Sequence, residues 1–179
     1  MPKYVAFLRA INVGGHTVKM DRLRELFVGL GFANVETFIA SGNVIFDTRT
    51  SKTSTLERQI ENHLEQQLGY KVTTFIRSLS ELAAIVDHKP FARTELQSKQ
   101  NELFVGFLAT KASEDAKAKL LKLRDRFSDF HTNGRELYWL RRRLPDVPPF
   151  ASAPLEKILA LPMTVRNIKT VRRLITKYS

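Results

Sequence analysis

The feature that most constrains this chain is the order in which short β-type runs and amphipathic helical stretches alternate over residues 1–77. Residues 3–9 are an apolar, aromatic run short enough for a buried strand, and they lead into a Gly-Gly loop. Behind Asp21 as N-cap, Leu23, Leu26, Phe27 and Leu30 recur at helical spacing, and Gly31 before Phe32 supplies a C-cap. Val35 to Ala40 and Val44 to Asp47 flank Ser41-Gly42-Asn43 as the arms of a hairpin. Leu56, Ile60, His63, Leu64 and Leu68 mark a second helix closed at Gly69, and Lys71 to Arg77 a fourth strand. The order βαββαβ is the ferredoxin-like arrangement, four antiparallel strands with two helices on one face.

The pattern then restarts. Ser78 and Ser80 open a helix over Glu81 to Asp87 that stops near Lys89-Pro90, and Phe91 to Asn101 is a polar connector. Glu102 to Ala109 reads as a strand, Ser113 to Phe127 as a charged helix, and Asp129–Thr132 with Glu136–Arg142 as a hairpin about Asn133-Gly134. Prolines 145, 148, 149 and 154 make 145–154 an irregular loop before a short helix, Leu155 to Leu161. The last helix is predicted from Arg166 to Tyr178, with Thr164 as its cap. The halves share no detectable identity, so the duplication rests on pattern alone. The expected fold class is α+β: two tandem ferredoxin-like (βαββαβ-type) units with mainly antiparallel sheets and an extra C-terminal helix. The expected division is 1–77 for the first unit, 78–101 for a helix and connector, and 102–179 for the second unit with its basic C-terminal helix.

Composition narrows the function classes. The chain has 29 Lys and Arg against 18 Asp and Glu, a net charge of +11, of which +3 lies in residues 1–77 and +8 in 78–179. From Arg135 onward there are 10 basic and 3 acidic residues. Such a face suits an anionic small molecule or nucleic acid, although basic residues also serve solubility. The absence of cysteine excludes disulfides, thiolate nucleophiles and cysteine metal sites. No apolar run of membrane-spanning length and no signal-like N-terminus occurs, so the expectation is a cytoplasmic protein without membrane association. His16, His63, His88 and His131 form no metal-ligand spacing, and Ser41 lies outside any nucleophile elbow, so neither a metal, a cofactor nor a catalytic residue is assigned.

The chemistry-bearing residues fall at turns. Arg9 ends the first strand, and its guanidinium offers five fixed donors to a carboxylate or phosphate, or to a neighbouring acid of its own chain. Asn12, Gly14 and Gly15 supply amide and backbone donors without the spacing of a phosphate-loop motif. In ferredoxin-like strand order the first strand lies beside the third, which brings Arg9 to Ser41, Gly42 and Asn43 at one sheet edge, beside the start of the first helix. Arg166 and Asn167 are placed in the first turn of the last helix, where a cation opposes the dipole, and they point to an anion there. Arg141-Arg142-Arg143 beside Tyr138 and Trp139 fits base stacking with phosphate contact, or plain core and rim packing.

Taken together, Tyr4 to Gly15, Met20 to Phe32, Ile39-Ala40-Ser41-Gly42-Asn43-Val44 and Thr164-Val165-Arg166-Asn167 resemble the uncharacterised bacterial family catalogued as domain-of-unknown-function family 1697. The resemblance spans nearly the whole chain and implies a tandem pair of ferredoxin-like units, with no established activity. Departures occur at Ala10, where the family pattern carries glycine, at Ala40, where it carries glutamine, and over Pro148 to Leu155 and Ile168-Lys169. The expected function is binding of a phosphate-bearing ligand or nucleic acid. An enzyme acting on a small phosphorylated or nucleotide substrate and a non-catalytic protein–protein module using a sheet edge are the alternatives.

Overall fold

An unbroken apolar run can be buried on both faces of a sheet, and Tyr4 to Leu8 takes that place in the computed structural model, which describes residues 1–12, 14–39, 42–146 and 153–179. Strand β1 (Lys3–Leu8) pairs antiparallel with β3 (Asn43–Asp47) and β4 (Thr74–Ser78), and β2 (Ala33–Thr37) adds to β3, giving the order β2-β3-β1-β4. Helices α1 (Met20–Gly29) and α2 (Thr53–Leu68) set Leu23, Leu26, Phe27, Leu56, Ile60 and Leu64 against the Tyr4, Ala6, Leu8 and Phe46 face. Gly69 closes α2 at φ +81°, as its sequence position predicts, whereas Lys19 rather than Asp21 stands at the N-cap of α1. The chain divides into two compact units, Met1–Leu82 with Tyr178–Ser179, and Ala83–Lys177.

Strand β4 is an edge, and its outward amides are all taken. Thr74 N donates to Glu61 Oε1 at 2.8 Å, Ile76 N to Glu57 Oε1 at 2.9 Å, and Ser78 N to Glu81 Oε2 at 2.7 Å. Glu57 and Glu61 stand one turn apart on α2, and Glu81 lies in the first turn of α3 (Leu79–Asp87), where Ser78 Oγ accepts from Glu81 N to complete a capping box. Charge-assisted hydrogen bonds thus close an edge that would otherwise recruit a further strand, which removes β4 as a docking strand.

The second unit repeats this architecture. It comprises α4 (Arg93–Gln97), β5 (Asn101–Leu108), α5 (Glu114–Leu121), β6 (Ser128–Asn133), β7 (Glu136–Arg142), α6 (Ala153–Leu159), β8 (Met163–Asn167) and α7 (Ile168–Tyr178), in sheet order β6-β7-β5-β8. The tandem ferredoxin-like arrangement is therefore present. Several local expectations change. The polar connector contains α4. Helix α5 stops at Leu121, six residues early, because Asp125 Oδ1 accepts from the amides of Phe127 and Ser128 and turns the chain into β6. The last helix begins at Ile168, not Arg166: residues 163–167 pair with β5 and form the sheet's fourth strand. Pairing overrides local pattern here because no turn residue separates strand from helix. Of the loop expected at 145–154, residues 147–152 lie outside the described residues, while Ala153 and Pro154 open α6, which runs to Leu159 instead of from Leu155 to Leu161, since proline is tolerated in a helix's first turn.

Register reveals a correspondence that identity between the halves does not. Val5 stands opposite Ile45 and Arg77, and Val105 stands opposite Tyr138 and Arg166. Thr74-Phe75-Ile76-Arg77-Ser78 and Met163-Thr164-Val165-Arg166-Asn167 therefore occupy the same place in their units, each running directly into a helix. Both arginines are buried, and each donates from Nη1 to the preceding carbonyl, Ile76 O at 2.8 Å and Val165 O at 3.0 Å.

Candidate functional site

In the first unit the end of β1 and the Gly42-Asn43 turn are neighbours. Leu8 N donates to Gly42 O at 2.9 Å, and Arg9 N to Thr73 O at 2.9 Å. A Cβ on Gly42 would lie 2.7 Å from Ile11 Cγ2, so only glycine allows this approach, at φ +78°. Asn12 is exposed, but its Oδ1 accepts from Val18 N at 2.7 Å and holds the loop. Asn43 is fully buried and donates from Nδ2 to Phe38 O at 2.8 Å, closing the hairpin. Gly14 and Gly15 are exposed at φ +68° and +85°, and Ala10, where the family pattern carries glycine, also adopts a positive φ of 54°. His16 stacks on Tyr70 at 3.7 Å, whose hydroxyl donates to Ile11 O. Ser41 lies outside the described residues.

Arg166 and Asn167 belong to the second unit and take different roles from those their expected helical position implied. Arg166, on β8, donates from Nη1 to Thr164 Oγ1 at 2.7 Å and is buried, which pulls its guanidinium down to about 10, still charged at neutral pH. Thr164 thus serves Arg166 instead of capping a helix. Asn167 caps α7, its Oδ1 accepting from Lys169 N at 2.9 Å.

Asn167 and the start of α7 also line a cleft of about 660 Å³ within the second unit. Lys89, Arg93, Lys99, Lys169 and Arg172 border it, against one carboxylate, Glu102, which is paired with Arg143. All five cations are exposed. Val86, Phe91, Leu96 and Leu103, all half-buried, add an apolar wall. His88 lines the cleft as well; its Nε2 is buried with no hydrogen-bond partner among the described residues, and its ring lies 5.3 Å from that of His131 and 5.1 Å from that of Tyr138. Burial, followed by the neighbouring His88, holds His131 below the ordinary imidazole range. Among the described residues no group of three or more His, Cys, Asp or Glu is placed to hold a metal ion.

In the Arg141-Arg142-Arg143 cluster, Arg142 and Arg143 are paired with carboxylates, and the neighbouring aromatics are buried. Arg142 makes a forked pair with Glu95, the shortest contact 2.8 Å, while Arg143 bonds Glu102. Tyr138 is buried and donates to Ile85 O at 3.1 Å; Trp139 is buried and donates from Nε1 to Ser128 Oγ at 3.0 Å. Neither ring presents a face for base stacking.

Of the cleft's polar rim, Asn167, Lys169 and Arg172 lie on the C-terminal segment that drew attention from sequence. Lys89, Arg93 and Lys99 sit in and before a connector whose short helix has no long-range periodicity, whereas Lys169 and Arg172, at i and i+3, share a face of the last helix wherever it starts. Arg77 was legible in principle, as the arginine before a capping residue in both halves.

A family described as "Protein of unknown function (DUF1697)" matches residues 1–138. No curated protein matches the chain. Among solved structures, the conserved bacterial protein SP0830 from Streptococcus pneumoniae is similar, with 21% identity, a TM-score of 0.75, and coverage of 99% of this chain and 98% of that one. That likeness shows the same fold. No helix among the described residues is long and apolar enough to cross a membrane. With the family match spanning most of its length, the chain belongs to the DUF1697 family.

Proposed function

We propose that this protein binds a phosphate-bearing small molecule in the cleft of the second unit. The observation that carries the reading is the imbalance at its rim: five exposed cations face one carboxylate that already has an arginine partner. Phosphate is the anion such a rim favours, since lysine and arginine both bind its oxygens through charge-assisted hydrogen bonds. The concavity favours a small molecule over a polymer, because about 660 Å³ falls within the range of ligand pockets and the aromatics that a nucleic-acid platform needs are buried. The glycine-rich edge at Arg9 is the competing location, although Asn12 Oδ1 and Asn43 Nδ2 there are already engaged.

The test is a thermal-shift titration with pyrophosphate at low salt. A ligand at 100 times its dissociation constant adds about 2.7 kcal/mol. The shift is expected in the parent chain and in Arg9→Ala, to be absent in Lys169→Glu/Arg172→Glu, and to shrink as salt rises. A shift that survives Lys169→Glu/Arg172→Glu and disappears in Arg9→Ala would move the site to the first unit.

A further inference from the structure

We infer that the ligand of this cleft is a nucleoside phosphate rather than phosphate or polyphosphate alone. The inference rests on the phosphate reading of the same cleft and adds the half of its lining that charge does not use. Val86, Phe91, Leu96 and Leu103 leave apolar surface uncovered inside a concavity whose rim is cationic. An inorganic anion makes no use of such a wall, whereas a phosphate ester covers it with its organic body. Phe91 stands in the connector between Lys89 and Arg93, an aromatic among cations, which is how proteins combine ring stacking with phosphate contact.

His88 selects a heterocycle over an alkyl chain. It borders the same wall as Phe91 and gives a planar base a second aromatic ring to pack against, which an alkyl chain would not use. The ring of His88 is steadied by those of His131 and Tyr138. The phosphate end then lies toward Lys169 and Arg172, and the base toward Phe91 and His88.

The experiment is isothermal titration of the full chain with pyrophosphate, adenosine, and the four diphosphates ADP, GDP, CDP and UDP, at one ionic strength. At least one diphosphate is expected to bind about tenfold tighter than pyrophosphate, the advantage expected of one stacked base. Phe91→Ala and His88→Phe, each checked for an unchanged far-UV dichroism spectrum, are expected to erase that advantage and leave pyrophosphate binding as it was. If no diphosphate exceeds pyrophosphate, or if both variants keep the advantage, the nucleoside part is overturned and the phosphate reading survives. If nothing binds, or if adenosine alone matches the diphosphates, the phosphate reading falls, and this inference falls with it.

Discussion

Replacing Gly42 with alanine tests whether the two turns of the first unit are packed as tightly as their geometry implies. Gly42 sits at φ +78°, a region that costs an L-residue about 1–2 kcal/mol. Alanine recovers about 0.4–1 kcal/mol by lowering the entropy of the unfolded chain, so strain alone nets about 1 kcal/mol. The new Cβ would also meet Ile11 Cγ2 at 2.7 Å and Leu8 Cβ at 3.2 Å, both on buried residues that cannot swing away, and overpacking of this kind costs about 1–3 kcal/mol. Gly42→Ala should therefore lose about 2–4 kcal/mol. Gly14→Ala is the matched control, with φ +68° and nothing within 4 Å of its Cβ, and should lose only about 1 kcal/mol. For a unit the size of Met1–Leu82, each kcal/mol moves the melting point by about 4–8 °C, so the two variants separate clearly. Urea unfolding followed by far-UV circular dichroism measures the difference. Losses equal to within about 0.5 kcal/mol would refute the close approach of the two turns.

Other expectations are independent of that one. Glu57→Ala leaves the buried Ile76 N–H without its acceptor and should destabilise the first unit by about 1–3 kcal/mol in urea; a loss near zero would mean that the edge closure is dispensable. In the second unit Gly106 takes the place of Ala6 in the first, and alanine there would run into Met163 Sδ, so Gly106→Ala should lose about 1–3 kcal/mol and Met163→Ala should recover part of it. Hydrogen bonds from Arg142 hold Glu95 below the ordinary glutamate value of 4.5. Its folded pKa is thus the lower one, so its contribution is complete above the unfolded value and is lost as pH falls through the folded one. Because Glu95 is about a third exposed, the contribution is about 0.5–1 kcal/mol, and the urea midpoint gap between the parent and Glu95→Gln should close on going from pH 7 to pH 3. A gap of the same size at pH 3 would assign the effect to shape rather than charge.

Fold class was legible because its signals are local. The Tyr4 to Leu8 run, the 3.6-residue spacing through Leu56, Ile60 and Leu64, the glycine after Leu68 and the Asn133-Gly134 turn each act within a few residues, and each survives in the structure. Strand β8 was not legible as a strand. Its five residues join α7 without a break, and only the distant partner β5 makes them extended. That shift of two residues also changed the chemistry, turning Arg166 from an exposed helix-start cation into a buried strand residue.

By itself, then, the order of residues determined two βαββαβ units, their turns and a surplus of positive charge toward the C-terminal half, because periodicity, capping and glycine conformations are properties of neighbouring residues. Only tertiary structure decided where that charge is concentrated. The cleft joins the end of α3, the α4 connector, β5 and the first turns of α7, segments up to 86 positions apart between Val86 and Arg172. No local pattern encodes a concavity, since it is the space left between elements whose positions are set by strand pairing and core packing.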